Sequence, residues 1–187
     1  MVESSIKTYL SSITECLNKL SESSVNNAIA ALSLTMNSNK TIWIAGNGGS
    51  AATASHFATD LSRCNNENGD PVKGISLCDN SGLITAIGND FGFDYIFSKQ
   101  LSNLAVSGDL LVTLSASGNS RNLVFAINWA RSNGISNLAL TGFDGGQAKL
   151  LADTSLHVPT AHGEYGVAED AQSILCHYLS SRFRTTR

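Results

Sequence analysis

Five short apolar runs divide this chain: TIWIAG from residue 41, KGISLC from 73, DLLVTLS from 109, SNLALTG from 136 and TSLHVP from 154, with helical stretches between them. Strands that alternate with helical patterns signal βα units, because parallel neighbours need a long crossover that a helix supplies. The expected fold class is therefore α/β: a five-stranded parallel sheet sandwiched by helices in the flavodoxin-like or Rossmann-like manner. Three of the runs end in Gly46, Ser115 and Gly142, where strand-to-helix loops begin. Ligands of open α/β sheets bind outside the carboxyl ends of the strands, so these loops are the places to look for chemistry.

Ahead of the sheet, Ile6, Leu10, Ile13, Leu17 and Leu20 recur at helical spacing, and Val25, Ala28, Ile29 and Leu32 resume the pattern after the polar stretch SESS. Two N-terminal helices are expected within residues 1–36, followed by an α/β core over 40–187. A length of 187 residues with 42% hydrophobic content suits one domain with one compact core. The opening MVESSIKTYLSSITECLNKL is broken by Glu3, Lys7, Glu15 and Lys19 and lacks the unbroken apolar core of a signal peptide or spanning helix. No membrane association is expected, and the expected location is the cytoplasm.

Lys and Arg number 12 against 15 Asp and Glu, and the basic run Arg182, Arg184 and Arg187 is too short to form an electrostatic footprint for nucleic acid. Cys16, Cys64, Cys78 and Cys176 lie far apart without a C-x-x-C pair, which argues against a structural zinc site or a disulfide framework.

Chemistry concentrates in three places. In AGNGGS, residues 45–50, a glycine turn follows a strand and precedes a helix, so backbone N–H groups and the Ser50 hydroxyl can receive a phosphate or a carboxylate. The stretch lacks the lysine of a phosphate-binding P-loop. It does give G-x-G-x-x-A, but Asp79, some 30 positions beyond Gly49, is too distant to serve as the acidic partner of a dinucleotide fingerprint. No nucleotide cofactor is expected, with a dinucleotide-binding protein kept as a rival. In LSASGNSRN, residues 114–122, Ser115, Ser117 and Ser120 surround Gly118 at the start of another helix, a second phosphate-compatible loop in which Ser120 also suits a helix cap. The last helix, EYGVAEDAQSILCHYLSSRF, is expected to bury Ala171, Ile174, Leu175, Tyr178 and Leu179, with Glu169, Gln172 and Cys176 on one flank and Asp170 and His177 on the other.

GNGGS…HFA…DL, GNDFGF at 88–93, SxSGNS at 115–120 and LTGxDGG at 140–146, in this order, resemble the sugar isomerase (SIS) domain and, within it, the bacterial phosphoheptose isomerases. The resemblance runs from about residue 5 to the end. It implies interconversion of sedoheptulose 7-phosphate and D-glycero-D-manno-heptose 7-phosphate for surface glycans such as lipopolysaccharide or capsule, in a homotetramer with active sites between subunits. It implies that Ser50, Ser115, Ser117 and Ser120 hold the phosphate, beside Asn47 and the backbone of Gly48, Gly49 and Ala116, with Asp90 on the sugar hydroxyls. It also places a zinc set on His56, Asp60 and Gln172. Relatives with a zinc site carry a second histidine eight residues after the glutamine, where this chain has Ser180; His177 stands one turn earlier.

Aldose–ketose isomerisation needs a base beside the carbonyl, an acid at the oxygen and stabilisation of the enediolate between them. Asp60 or Glu169 is the expected base and His177 the expected acid or shuttle, while His56 is also open to a structural role. A phosphosugar-binding regulator without turnover, or one that binds a replication initiator, is the alternative reading.

Overall fold

The computed structural model describes residues 5–184, so Glu3 and Arg187 in the arguments above lie outside the described residues. All five apolar runs are strands: β1 Thr41–Gly46, β2 Lys73–Ser76, β3 Leu110–Ser115, β4 Ser136–Thr141 and β5 Thr154–His157. Every pairing is parallel and the order is β2-β1-β3-β4-β5. The chain passes from β1 outward to β2 and then returns to build β3, β4 and β5 on the other side. The order therefore reverses between β1 and β3, the seam at which open α/β sheets hold ligands.

Alternation along the strands feeds two separate apolar layers. Ile42, Ile44, Leu110, Val112, Leu114, Leu138 and Leu140 face one side, where α1 (Ile6–Leu17), α2 (Glu22–Asn37), α3 (Gly49–Leu61) and α8 (Tyr165–Ser181) supply Ile13, Leu32, Phe57, Ala171 and Leu179. Trp43, Ala45, Leu111 and Ala139 face the other, against α4 (Ser81–Asp90), α5 (Ser98–Leu104), α6 (Arg121–Ser132) and α7 (Gly146–Leu151). Asp109, 2% exposed, holds the strand entrances together by accepting hydrogen bonds from the Thr41 and Val106 N–H groups and the Trp43 indole. Among the described residues no helix is long and apolar enough to cross a membrane.

The two N-terminal helices form where expected, opened by Ser5 and Ser21, whose hydroxyls accept from N–H groups of the first turn. Helix α8 departs from expectation. Ile174 and Tyr178 are each 46% exposed, while Gln172, Cys176 and Ser180 are buried beside Ala171, Leu175 and Leu179. The expected stripe is rotated because α3 packs along the polar flank and takes that face into the interior.

Candidate active site

Helices α3 and α6 begin at the carboxyl ends of β1 and β3, the two strands that flank the seam. Their first N–H groups have no preceding helical carbonyl to accept them, and both helix dipoles present positive ends to the same place. The polar N-terminal loops are joined by an amide pair. Asn47 Nδ2 donates to Asn122 Oδ1 at 2.9 Å, and Asn122 Nδ2 returns a bond to Asn47 Oδ1 at 2.9 Å. Asn122 is 2% exposed and its Oδ1 also accepts from the Leu123 N–H, so the first turn of α6 is fixed relative to the β1 loop. Sequence reasoning passed over Asn122 because its partner is 75 positions away.

In the second loop, Ser115 Oγ accepts from the Gly118 N–H at 3.0 Å and Ser117 Oγ from the Asn119 N–H at 3.2 Å. Those turns use the oxygens as acceptors and leave each hydroxyl hydrogen free to donate to an anion. Ser120 occupies the N-cap position of α6, yet its side chain makes no cap hydrogen bond, so this hydroxyl too is available. The cap of α3 is Gly48, again without a side-chain bond, and Ser50 in the following turn is 4% exposed. Ala116 lies under the loop, its carbonyl accepting from the Gly142 N–H at 3.1 Å. The loop is braced from behind at Gly118, where φ is +64° and a Cβ would strike the Gly145 carbonyl, so only glycine permits this backbone-to-backbone seat.

The two residues that follow the GNDFGF segment tie it to the start of α6, Asp94 by an ion pair with Arg121 at 2.8 Å and Tyr95 by packing edge-on against Phe125. Asp90 itself is exposed at the end of α4, accepting from the Asn89 side chain.

Helices α3 and α8 pair along their lengths and carry the titratable residues. At the loop end, the Glu169 carboxylate lies against Gly49, where any Cβ would collide with it. Two turns further along α3, His56 meets His177, Nε2 to Nε2 at 3.3 Å, with the rings edge-on at 4.8 Å between centroids. Asp60 Oδ2 lies 3.8 Å from His56 Nε2 and 3.9 Å from His177 Nε2. His177 thus reaches His56 and Asp60 within one chain, from the turn before Ser180. Ser180 Oγ donates weakly to Asp60 Oδ2 at 3.4 Å. The other carboxylate oxygen, Oδ1, accepts from Arg184 Nη2 at 2.8 Å. The Asp60 side chain is 6% exposed, and without such partners its charge would be costly to bury. The neighbouring Cys176 thiol is pushed far above its ordinary range by burial first and by the Asp60 charge second.

The three donor atoms of His56, Asp60 and His177 all lie within 4.8 Å of one another. Ligands at about 2.0–2.1 Å from a tetrahedral zinc stand roughly 3.4 Å apart, so two imidazole nitrogens and one carboxylate oxygen at these separations fit that ion with small side-chain adjustments. Gln172, expected beside them, instead donates from Nε2 to the Leu140 carbonyl at 3.3 Å. Its Oε1 is buried without a hydrogen-bond partner.

A family model described as the SIS domain matches residues 8–142. The chain belongs to the SIS domain family. This SIS domain is similar to the phosphoheptose isomerase of Campylobacter concisus, 41% identical over 158 residues that cover 84% of this chain and 82% of the relative. It is also similar to that of Rhodospirillum rubrum, 36% identical over 161 residues covering 85% and 86%. The solved phosphoheptose isomerase from Neisseria gonorrhoeae superposes with a TM-score of 0.83 at 30% identity, covering 95% of this chain and 93% of that one. The matched span of the family model ends at Gly142, so α8, which carries Glu169, Gln172 and His177, lies beyond it.

Proposed function

We infer that this SIS domain is a phosphosugar aldose–ketose isomerase that interconverts sedoheptulose 7-phosphate and D-glycero-D-manno-heptose 7-phosphate, supplying heptose for surface glycans. The observation that carries this reading is the clasp: two hydroxyl-rich loops at two helix N-termini, locked together by Asn47 and Asn122 across the seam of the sheet. Such a clasp holds a phosphate through oriented N–H and O–H donors without a lysine. Ser50, Ser115, Ser117 and Ser120 are its proposed hydroxyl donors, with the backbone of Gly48, Gly49 and Ala116 around the anion and Asp90 and Gln172 toward the sugar.

The spacing of the site suits a long sugar chain. Gly49 and His56 stand seven positions apart, about 10 Å along the axis of α3. In an extended seven-carbon sugar phosphate, C1 and C2 lie about 9 Å from phosphorus, and in a five-carbon sugar about 2.5 Å less. With the phosphate end in the clasp, the reacting carbons of a seven-carbon chain reach toward the histidine pair, and Glu169 lines the path from the clasp end.

In the direction from ketose to aldose, the proton leaves C1, the C1–C2 bond becomes an enediolate, and a proton returns to C2 while the carbonyl moves to C1. Of the two candidate carboxylates, Glu169 is the proposed carrier of that carbon-bound proton, since Asp60 is held by Arg184. His177 Nε2 is the proposed partner of the carbonyl oxygen, with Asp60 Oδ2 3.8 and 3.9 Å from the Nε2 atoms of His56 and His177. A zinc ion would be held by His56, Asp60 and His177, and when bound it supplies the carbonyl polarisation that a protonated imidazole otherwise supplies.

Assembly into a homotetramer and a cytoplasmic location belong to the same reading. Exposed apolar side chains support the assembly: Ile174 and Tyr178 on α8 at 46% each, with Ile6 and Leu10 on α1 at 69% and 55%. Helix α1 packs on α8, so these side chains lie on neighbouring elements that a second copy can cover.

The test is turnover. Purified protein given sedoheptulose 7-phosphate should form the aldose phosphate, seen by NMR, and should turn over ribose 5-phosphate far more slowly. Binding of the ketose phosphate with no aldose formed, with or without added zinc, would sink the enzyme reading in favour of a phosphosugar-binding regulator.

A further inference from the structure

We propose that Arg184 is a built-in competitor for the divalent cation at the His56–Asp60–His177 group, an inference that rests on the cation site described above. Three residues beyond the end of α8, Arg184 turns back and places Nη2 at 2.8 Å from Asp60 Oδ1. The turn is anchored by Phe183, which packs against the core cluster between the sheet and α3. The arginine is not sealed in: its side chain is 48% exposed, so it can leave Asp60 without unfolding the helix.

Two positive partners then contend for one carboxylate. Asp60 is the sole acidic member of the group, and among the described residues its side-chain hydrogen-bond and ion-pair partners are His56, His177, Ser180 and Arg184, with the Cys176 thiol nearby. With Arg184 in place, the guanidinium satisfies the buried charge. With a dication on Oδ2, the same guanidinium stands beside it across one carboxylate, and the repulsion is doubled by the charge of the ion. The opposing effect is orientation, since the Arg184 bond holds Oδ2 toward the two imidazoles. That aid is small at a half-exposed pair. Repulsion prevails, so Arg184 lowers cation affinity, and by linkage the cation loosens Arg184.

The measurement is zinc affinity, read by competition with a chromophoric chelator and repeated with cobalt(II) through its visible absorption. Arg184→Met should bind zinc about tenfold more tightly than the unmodified protein, a gap that narrows as salt rises. Arg184→Lys keeps the charge and should stay near the unmodified value. Equal affinity in Arg184→Met, or weaker affinity, overturns the proposal and leaves the cation site standing. No zinc binding by any of these proteins removes the cation site itself, and the proposal with it. Retention of zinc by His56→Ala would likewise place the ion elsewhere and end both.

Discussion

Asn47 and Asn122 exchange two hydrogen bonds of 2.9 Å, each amide donating to and accepting from the other across the β1–β3 seam. The pair aligns two helix N-termini on one point. Asn122→Ala strands the Asn47 amide in a part-buried place, at a cost of about 1–3 kcal/mol. The expected outcome is a lower melting temperature together with a raised KM for the sugar phosphate. A variant with reduced stability but an unchanged KM would show that the pair serves the fold alone.

Ser117 reports on the phosphate directly. A hydrogen bond to a charged group contributes about 1.5–3 kcal/mol, so Ser117→Ala should raise KM by roughly 10- to 150-fold. Because the Ser117 hydroxyl accepts only from Asn119 within its own loop, stability should change little. An unchanged KM would remove this loop from the phosphate site.

Glu169 separates binding from chemistry. Glu169→Gln keeps the shape beside Gly49 and removes the base, so kcat should fall by about 10²- to 10⁴-fold with KM nearly preserved. A fall in KM affinity with kcat intact would mean that Glu169 binds sugar hydroxyls and that the proton is carried elsewhere.

His157 gives a pH dependence of stability. Its pKa lies below the ordinary 6.5, first because burial disfavours the charged ring and then because Lys149 is near. Its Nδ1 contacts the Thr141 hydroxyl at 3.2 Å. The unfolded chain binds the proton more readily than the folded one, so this contribution is fully present above pH 6.5 and is lost as pH falls through the lower folded value. His157→Gln should therefore flatten the decline in melting temperature between pH 7.5 and pH 5.5. An identical decline in both proteins would contradict the assignment.

The strands and the two serine loops were legible because both are local. Continuous apolar runs, buried on both faces of the sheet, mark β1, β3 and β4, and a glycine turn between a strand and a helix must expose helix N–H groups whatever packs around it. What escaped depends on contacts across the chain. Arg184 reaches Asp60 over 124 positions and Asn122 reaches Asn47 over 75, distances at which spacing carries no signal. On α8 the apolar Ile174 and Tyr178 looked interior because hydrophobic periodicity does not distinguish a face that meets the sheet from a face left open. Gln172 and Cys176 looked like flank residues, and only the packing of α3 shows them buried.

The most direct measurement follows the transferred proton. The protein is incubated with sedoheptulose 7-phosphate in deuterium oxide and the sugars are read by NMR. A carboxylate that removes the C1 proton and exchanges with solvent should leave deuterium on C2 of the aldose product and on C1 of the recovered ketose, and Glu169→Gln should abolish both signals. Recovery of unlabelled ketose with no aldose, by protein shown to bind the sugar phosphate, would contradict isomerisation through an enediolate at this site.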